Sequence, residues 1–121
     1  MSKFVIPKNT DFTFTFLLNK KDSFDPQDLT NVSSSIFTVF EESDQSVIFT
    51  ALCVVTDPVG GLFSCSMDSS VTDLLEIRRA NPEDGYFLRV KYNATIAVEF
   101  SDGTAPASVF IRDVLVSPSG V

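Results

Sequence analysis

Histidine and tryptophan are missing from these 121 residues, and only two cysteines and two tyrosines occur. Without histidine, neither a Ser-His-Asp nor a Cys-His arrangement can form. Cys53 and Cys65 alone make neither a zinc site nor a disulfide scaffold. Neither Gly-Lys-Ser/Thr nor Gly-x-Gly-x-x-Gly occurs, so a phosphate-cradling loop of those types is excluded. Positive charge is also scarce: nine Lys and Arg stand against sixteen Asp and Glu, for a net charge of −7. A nucleic-acid surface needs clustered cations, and an anionic membrane repels such a chain. No apolar run approaches the ~18 residues of a membrane span. The segment Met1 to Pro7 lacks the apolar core of a signal peptide. The expectation is one domain over residues 1–121, made in a cytoplasm, with no cofactor, no nucleic-acid partner and no membrane.

Phenylalanine is plentiful, with twelve residues, and hydrophobic residues reach 44%. A packed core is therefore within reach, and Phe favours strands. Period-2 alternation dominates. Phe12-Thr13-Phe14-Thr15-Phe16 places three rings on one face and two hydroxyls on the other. Residues 22–34 are polar and read as loop. Ile36 to Phe40 and Val47 to Thr56 read as strands, the second apolar enough for a central position. Asp57 to Gly61 is a turn, and Leu62 to Met67 alternates again. If that turn centres on Val59, then Val55 faces Phe63, Cys53 faces Cys65 and Ala51 faces Met67, one consistent register. The two thiols would then be buried cross-strand neighbours in a reducing cytoplasm, or a disulfide after release from it. An apolar face should keep them protonated and poorly nucleophilic.

Residues 69–80 break the alternation. Ser70 with Asp73 resembles a capping box, Val71, Leu74 and Leu75 share a helical face, and Arg78-Arg79 suits the helix C-terminus. Strands resume from Asp84-Gly85-Tyr86 to Tyr92, over Thr95 to Phe100, and over Val109 to Val116. A turn at Ser101 to Thr104 uses Gly103. About seven strands at turn spacings of roughly 8–12 residues predict an all-β, immunoglobulin-like antiparallel sandwich with one short helix.

Asp84-Gly85-Tyr86 looks like the tyrosine corner of such sandwiches, with Gly85 and Tyr86 as structural residues. The run of Phe12 to Leu18, Asp28-Leu29-Thr30, Ile36 to Phe40, Gly60 to Ser64, Asp84-Gly85-Tyr86 and Phe100 to Gly103 resembles the immunoglobulin-like domains of tailed-phage virion proteins. It is similar to the N-terminal domain of baseplate upper proteins. The resemblance spans nearly the whole chain and rests on strands and turns. It implies a non-catalytic virion component of head, neck, tail or baseplate, made in the host cytoplasm. Its partners would be other virion proteins, with symmetric or multiple copies on a particle. It carries no catalytic residues.

The remaining candidates have ordinary readings beside functional ones. Glu41-Glu42 and Glu83-Asp84 sit at turns, where solvated charge is usual. Asp57, Asp68, Asp84 and Asp102 near strand ends could converge on calcium, without EF-hand spacing; Asp is also a standard turn former. Lys20-Lys21 and Arg78-Arg79 are solvated doublets or contacts for an acidic partner. Phe4-Val5-Ile6 before Pro7 is a first strand or a docking arm. Asn31-Val32-Ser33 and Asn93-Ala94-Thr95 match glycosylation acceptors only by chance in a chain without a signal peptide. A carbohydrate- or receptor-binding module is the alternative function. It is disfavoured because stacking aromatics other than core Phe are limited to Tyr86 and Tyr92.

Overall fold

A computed structural model describes residues 4–80 and 87–117, with backbone only at 78–80, 87 and 88. Among these residues the strands are β1 (Val5–Pro7), β2 (Phe12–Leu17), β3 (Val32–Glu41), β4 (Val47–Asp57) and β5 (Leu62–Met67). Helix α1 (Ser69–Thr72) is followed by β6 (Arg78–Ala80), β7 (Phe87–Arg89), β8 (Tyr92–Phe100) and β9 (Ala107–Ser117). Seven strands hydrogen-bond in the order β1-β9-β8-β3-β4-β5-β2, and β6-β7 form a separate ribbon. The all-β expectation holds.

Strand β4 turns this sheet into two layers. Its first half pairs with β3 through Leu52, and its second half pairs with β5 from Cys53 onward. The far strands can then face each other. Phe14 of β2 packs on Phe37 of β3 at 5.0 Å, although β4 and β5 separate those strands in the ladder. Phe4 stands edge-on to Phe14 at 4.9 Å, and Phe16 stacks on Phe63 at 4.7 Å. The interior is therefore an aromatic chain between layers, built from the inward residues of alternating strands. The period-2 pattern of β2 predicts this arrangement: Phe12, Phe14 and Phe16 are half-buried while Thr13 and Thr15 are exposed.

The hairpin register is as the sequence predicts, with Cys53 opposite Cys65 and Val55 opposite Phe63. The regular ladder closes at Cys53–Cys65, so Ala51 and Met67 are not among its pairs. Gly61 takes φ +72°, and an added Cβ would lie 2.6 Å from the Leu18 carbonyl oxygen. Gly103 takes φ +87° in its turn, as expected.

Three expectations need correction. The helix is a single turn, capped by Asp68 accepting from the Val71 N–H rather than by Ser70. Arg78 and Arg79 belong to β6, paired with Arg89 and Leu88, and not to a helix C-terminus. Thr72 stops the helix early by tying its hydroxyl to the Thr10 carbonyl at 2.8 Å, while Lys8 Nζ draws in the Leu75 carbonyl at 2.6 Å. These long-range bonds outweigh a helical pattern too short to stand alone. The sheet is mixed rather than purely antiparallel, because β1 runs parallel to β9. Strand β4 is interior to the sheet but covered on one face only, with Leu52 74% and Val54 64% exposed. Its interior place is as the apolar run predicts, and the bare face carries the outward apolar residues that leave no alternation.

Residues Phe4-Val5-Ile6 act as a first strand. Ile6 is fully buried and Phe4 packs half-buried on the aromatic core, so the segment is not a free arm; Val5 is exposed. Glu83-Asp84 and the proposed corner at Gly85 and Tyr86 lie outside the described residues.

Candidate interaction site

Strand β9 pairs with β8 through a bulge. Tyr92 faces Val114, but Ala94 faces Ile111, so Arg112 and Asp113 share the position opposite Asn93. Asp113 adopts φ 57°, a left-handed conformation uncommon for a non-glycine residue. Its N–H donates to Asn93 Oδ1 at 3.1 Å, which pins the extra residue in place. Bulges redirect side chains at sheet rims. Here Arg112 is left exposed, with its guanidinium 5.9 Å from the Phe110 ring centre.

Beside this bulge an open pocket of about 570 Å³ forms between Phe4, the end of β7 with the residues after it, the start of β8, and β9. Phe4, Val90, Ile111, Val114 and Val116 contribute an apolar lining, with Arg89, Lys91 and Arg112 and a single carboxylate, Asp113, beside them. Three of the nine cations of an acidic chain thus gather at one concavity. Tyr92, 1% exposed, closes the inner end, and its hydroxyl accepts the Glu76 N–H at 2.7 Å. A tyrosine hydroxyl therefore does bind upstream backbone in this sandwich, from Tyr92.

A second feature lies on the Asn19 to Pro26 loop. Asn19 and Pro26 bridge its base. The Lys20 N–H donates to the Asp25 carbonyl at 2.8 Å, and the Asp25 N–H to Ser23 Oγ at 3.0 Å. This closed turn holds Phe24 97% exposed, between exposed Asp22 and Asp25. Lys20 and Lys21 are on the same loop, also exposed. A lone aromatic in water on an internally bonded loop has the character of a binding anchor.

The thiols are close partners. Both are free, Cys65 fully buried and Cys53 half-buried. The S–H of Cys65 donates to Cys53 and pulls the Cys53 thiol down to about 7 against the opposing effect of burial. The Ser35 hydroxyl, buried with no full hydrogen bond of its own, adds a weaker pull, as does the Phe37 N–H. Cys65 is pushed well up by that same bond and by burial. Of the two thiols, Cys53 is the one lowered, because a neighbouring donor offsets its apolar surroundings.

Among the described residues, no three His, Cys, Asp or Glu side chains gather as a metal site. Asp57 accepts from the Gly60 N–H, Asp68 caps α1, and Asp102 holds the Thr104 N–H and the Asn31 amide. Each serves its own turn, and Asp84 lies outside the described residues. Glu41 is buried opposite Tyr92 rather than solvated at a turn, and its N–H donates to the Ser46 carbonyl. The side chains of Arg78 and Arg79 are not described.

Alternation from Tyr86 to Tyr92 sets Arg89 and Lys91 on one face, and the structure brings both to the pocket although β7 ends at Arg89 and Lys91 precedes β8. The place of Arg112 depends on a bulge with no signature in the residue pattern. No protein-family model and no curated protein matches this chain.

Proposed function

We propose that this chain is a non-catalytic structural component of a bacteriophage virion, a head, neck, tail or baseplate protein that acts by protein–protein assembly. The observation that carries the assembly reading is the bare outer face of the sheet. Ala97, Ile36 and Leu52 lie in one row across β8, β3 and β4, and Val54 follows on the same face. Leu52 and Val54 are both more than half exposed although their strand is interior to the sheet. Contiguous exposed apolar surface is characteristic of protein contact sites. The phage assignment rests on the resemblance in strand and turn layout. The alternative of a sugar-binding module is weakened because Tyr92 is buried and cannot stack on a ligand.

The test is proteomic and mutational. Mass spectrometry of particles purified from cells that make the chain should find it in fixed proportion to the major virion proteins. Leu52→Ser with Val54→Ser should lower its incorporation while leaving its melting temperature nearly unchanged. Consistent absence from purified particles would sink the proposal.

A further inference from the structure

We infer that copies of this chain join head to tail, with the Phe24 loop of one copy seated in the cation-lined pocket of the next. The inference rests on the assembly reading above and names the partner as a second copy of the chain.

The two surfaces match in polarity and in the charges nearest the ring. The knob is one ring, held out by the Lys20–Asp25 and Asp25–Ser23 hydrogen bonds. Its order is present before contact, so little conformational freedom is lost on docking. The pocket, at about 570 Å³, falls within the ~300–1,000 Å³ range of sites that hold small ligands. Phe4, Val90, Ile111 and Val114 offer the ring an apolar surface. Charge then favours one orientation. Asp22 and Asp25 flank the ring, while Arg89, Lys91 and Arg112 outnumber Asp113 at the pocket. Lys20 and Lys21 balance that charge over the loop as a whole, so the complementarity is local to the two aspartates flanking the ring. Opposite charges at a docking rim speed encounter and set register.

Phe24, nearly fully exposed, does not fill the pocket of its own chain. Knob and pocket also occupy different elements, the Asn19 to Pro26 loop against Phe4, β7, β8 and β9. The contact is therefore heterologous. Repetition closes a ring or extends a filament, depending on the rotation between copies.

Sedimentation equilibrium of the full chain, from micromolar to millimolar, provides the test. Wild type should self-associate, more weakly as salt rises. Phe24→Ser and the double variant Arg89→Glu/Arg112→Glu should each weaken association by about 30-fold or more, the scale of an aromatic or arginine anchor. All three positions are exposed, and thermal melts should show both variants folded. An equimolar mixture of the two should form 1:1 pairs and nothing larger, because only one intact knob and one intact pocket remain per pair. A wild type that stays monomeric at millimolar concentration overturns the inference, as does a Phe24→Ser protein that associates like wild type or a mixture that fails to pair. A monomeric chain found on particles refutes the head-to-tail contact and leaves the virion reading standing. An associating chain absent from particles does the reverse.

Discussion

Oxidation of the Cys53–Cys65 pair should stabilise this protein. The residues are ladder partners on neighbouring antiparallel strands. Such partners have Cα atoms about 4.5–5.5 Å apart, inside the ~4.4–6.8 Å window a disulfide requires. The route is direct. With its thiol lowered by the Cys65 donor, Cys53 is the one of the pair that ionises first. It attacks oxidised glutathione and expels one glutathione thiolate. That thiolate takes the Cys65 proton, and Cys65 sulfur attacks the mixed disulfide. One protein S–S bond forms, and one glutathione thiol and one glutathione thiolate leave. The closed loop contains roughly a dozen residues, so the entropy removed from the unfolded chain corresponds to about 3 kcal/mol. For a chain of this size that is roughly a 10 °C rise in melting temperature. The assay is a thermal melt of reduced and oxidised protein, with mass spectrometry to confirm loss of two hydrogens. Cys53→Ser should abolish the difference. An oxidised form that melts at or below the reduced one would refute the reasoning, because the ladder geometry would then be strained.

Three further outcomes are expected. Tyr92→Phe removes the acceptor of the Glu76 N–H and should cost about 1–3 kcal/mol in urea unfolding; a change within error would mean that bond contributes nothing. Gly61→Ala places a Cβ against the Leu18 carbonyl at positive φ, and the left-handed penalty alone predicts a loss of about 1–2 kcal/mol. Hydrogen bonds from Thr30, Ser70 and Thr104 hold Asp28, Asp68 and Asp102 below the usual 3.8. A carboxyl depressed in the folded state favours folding above its unfolded pKa. Stability should therefore be flat near neutrality and fall as pH drops below about 4, with a shallower fall in Asp102→Asn.

The sequence by itself determined the strands, most of the turns and one ladder register. Alternation at Phe12 to Phe16 specifies an inward face, and a one-residue slip would expose every ring. The Asp57 to Gly61 turn then sets Cys53 against Cys65 with no need of distant residues. Its local pattern misled at residues 69–80, where helical spacing covers about three turns and only one forms. Thr10, Asp11 and Lys8 bind that segment from across the chain, and no local pattern carries their influence. The interaction features lie still further from sequence. Phe24 falls in a stretch that reads only as loop, and the closed turn that holds its ring in water appears only in the structure. Arg112 joins Arg89 and Lys91 only because β9 carries an extra residue, and Cys53 is activated only by a donor on the next strand. Periodicity is a short-range property that one chain segment can express. Exposure, concavity and pKa depend on what the rest of the chain brings alongside, so only the tertiary structure decided them.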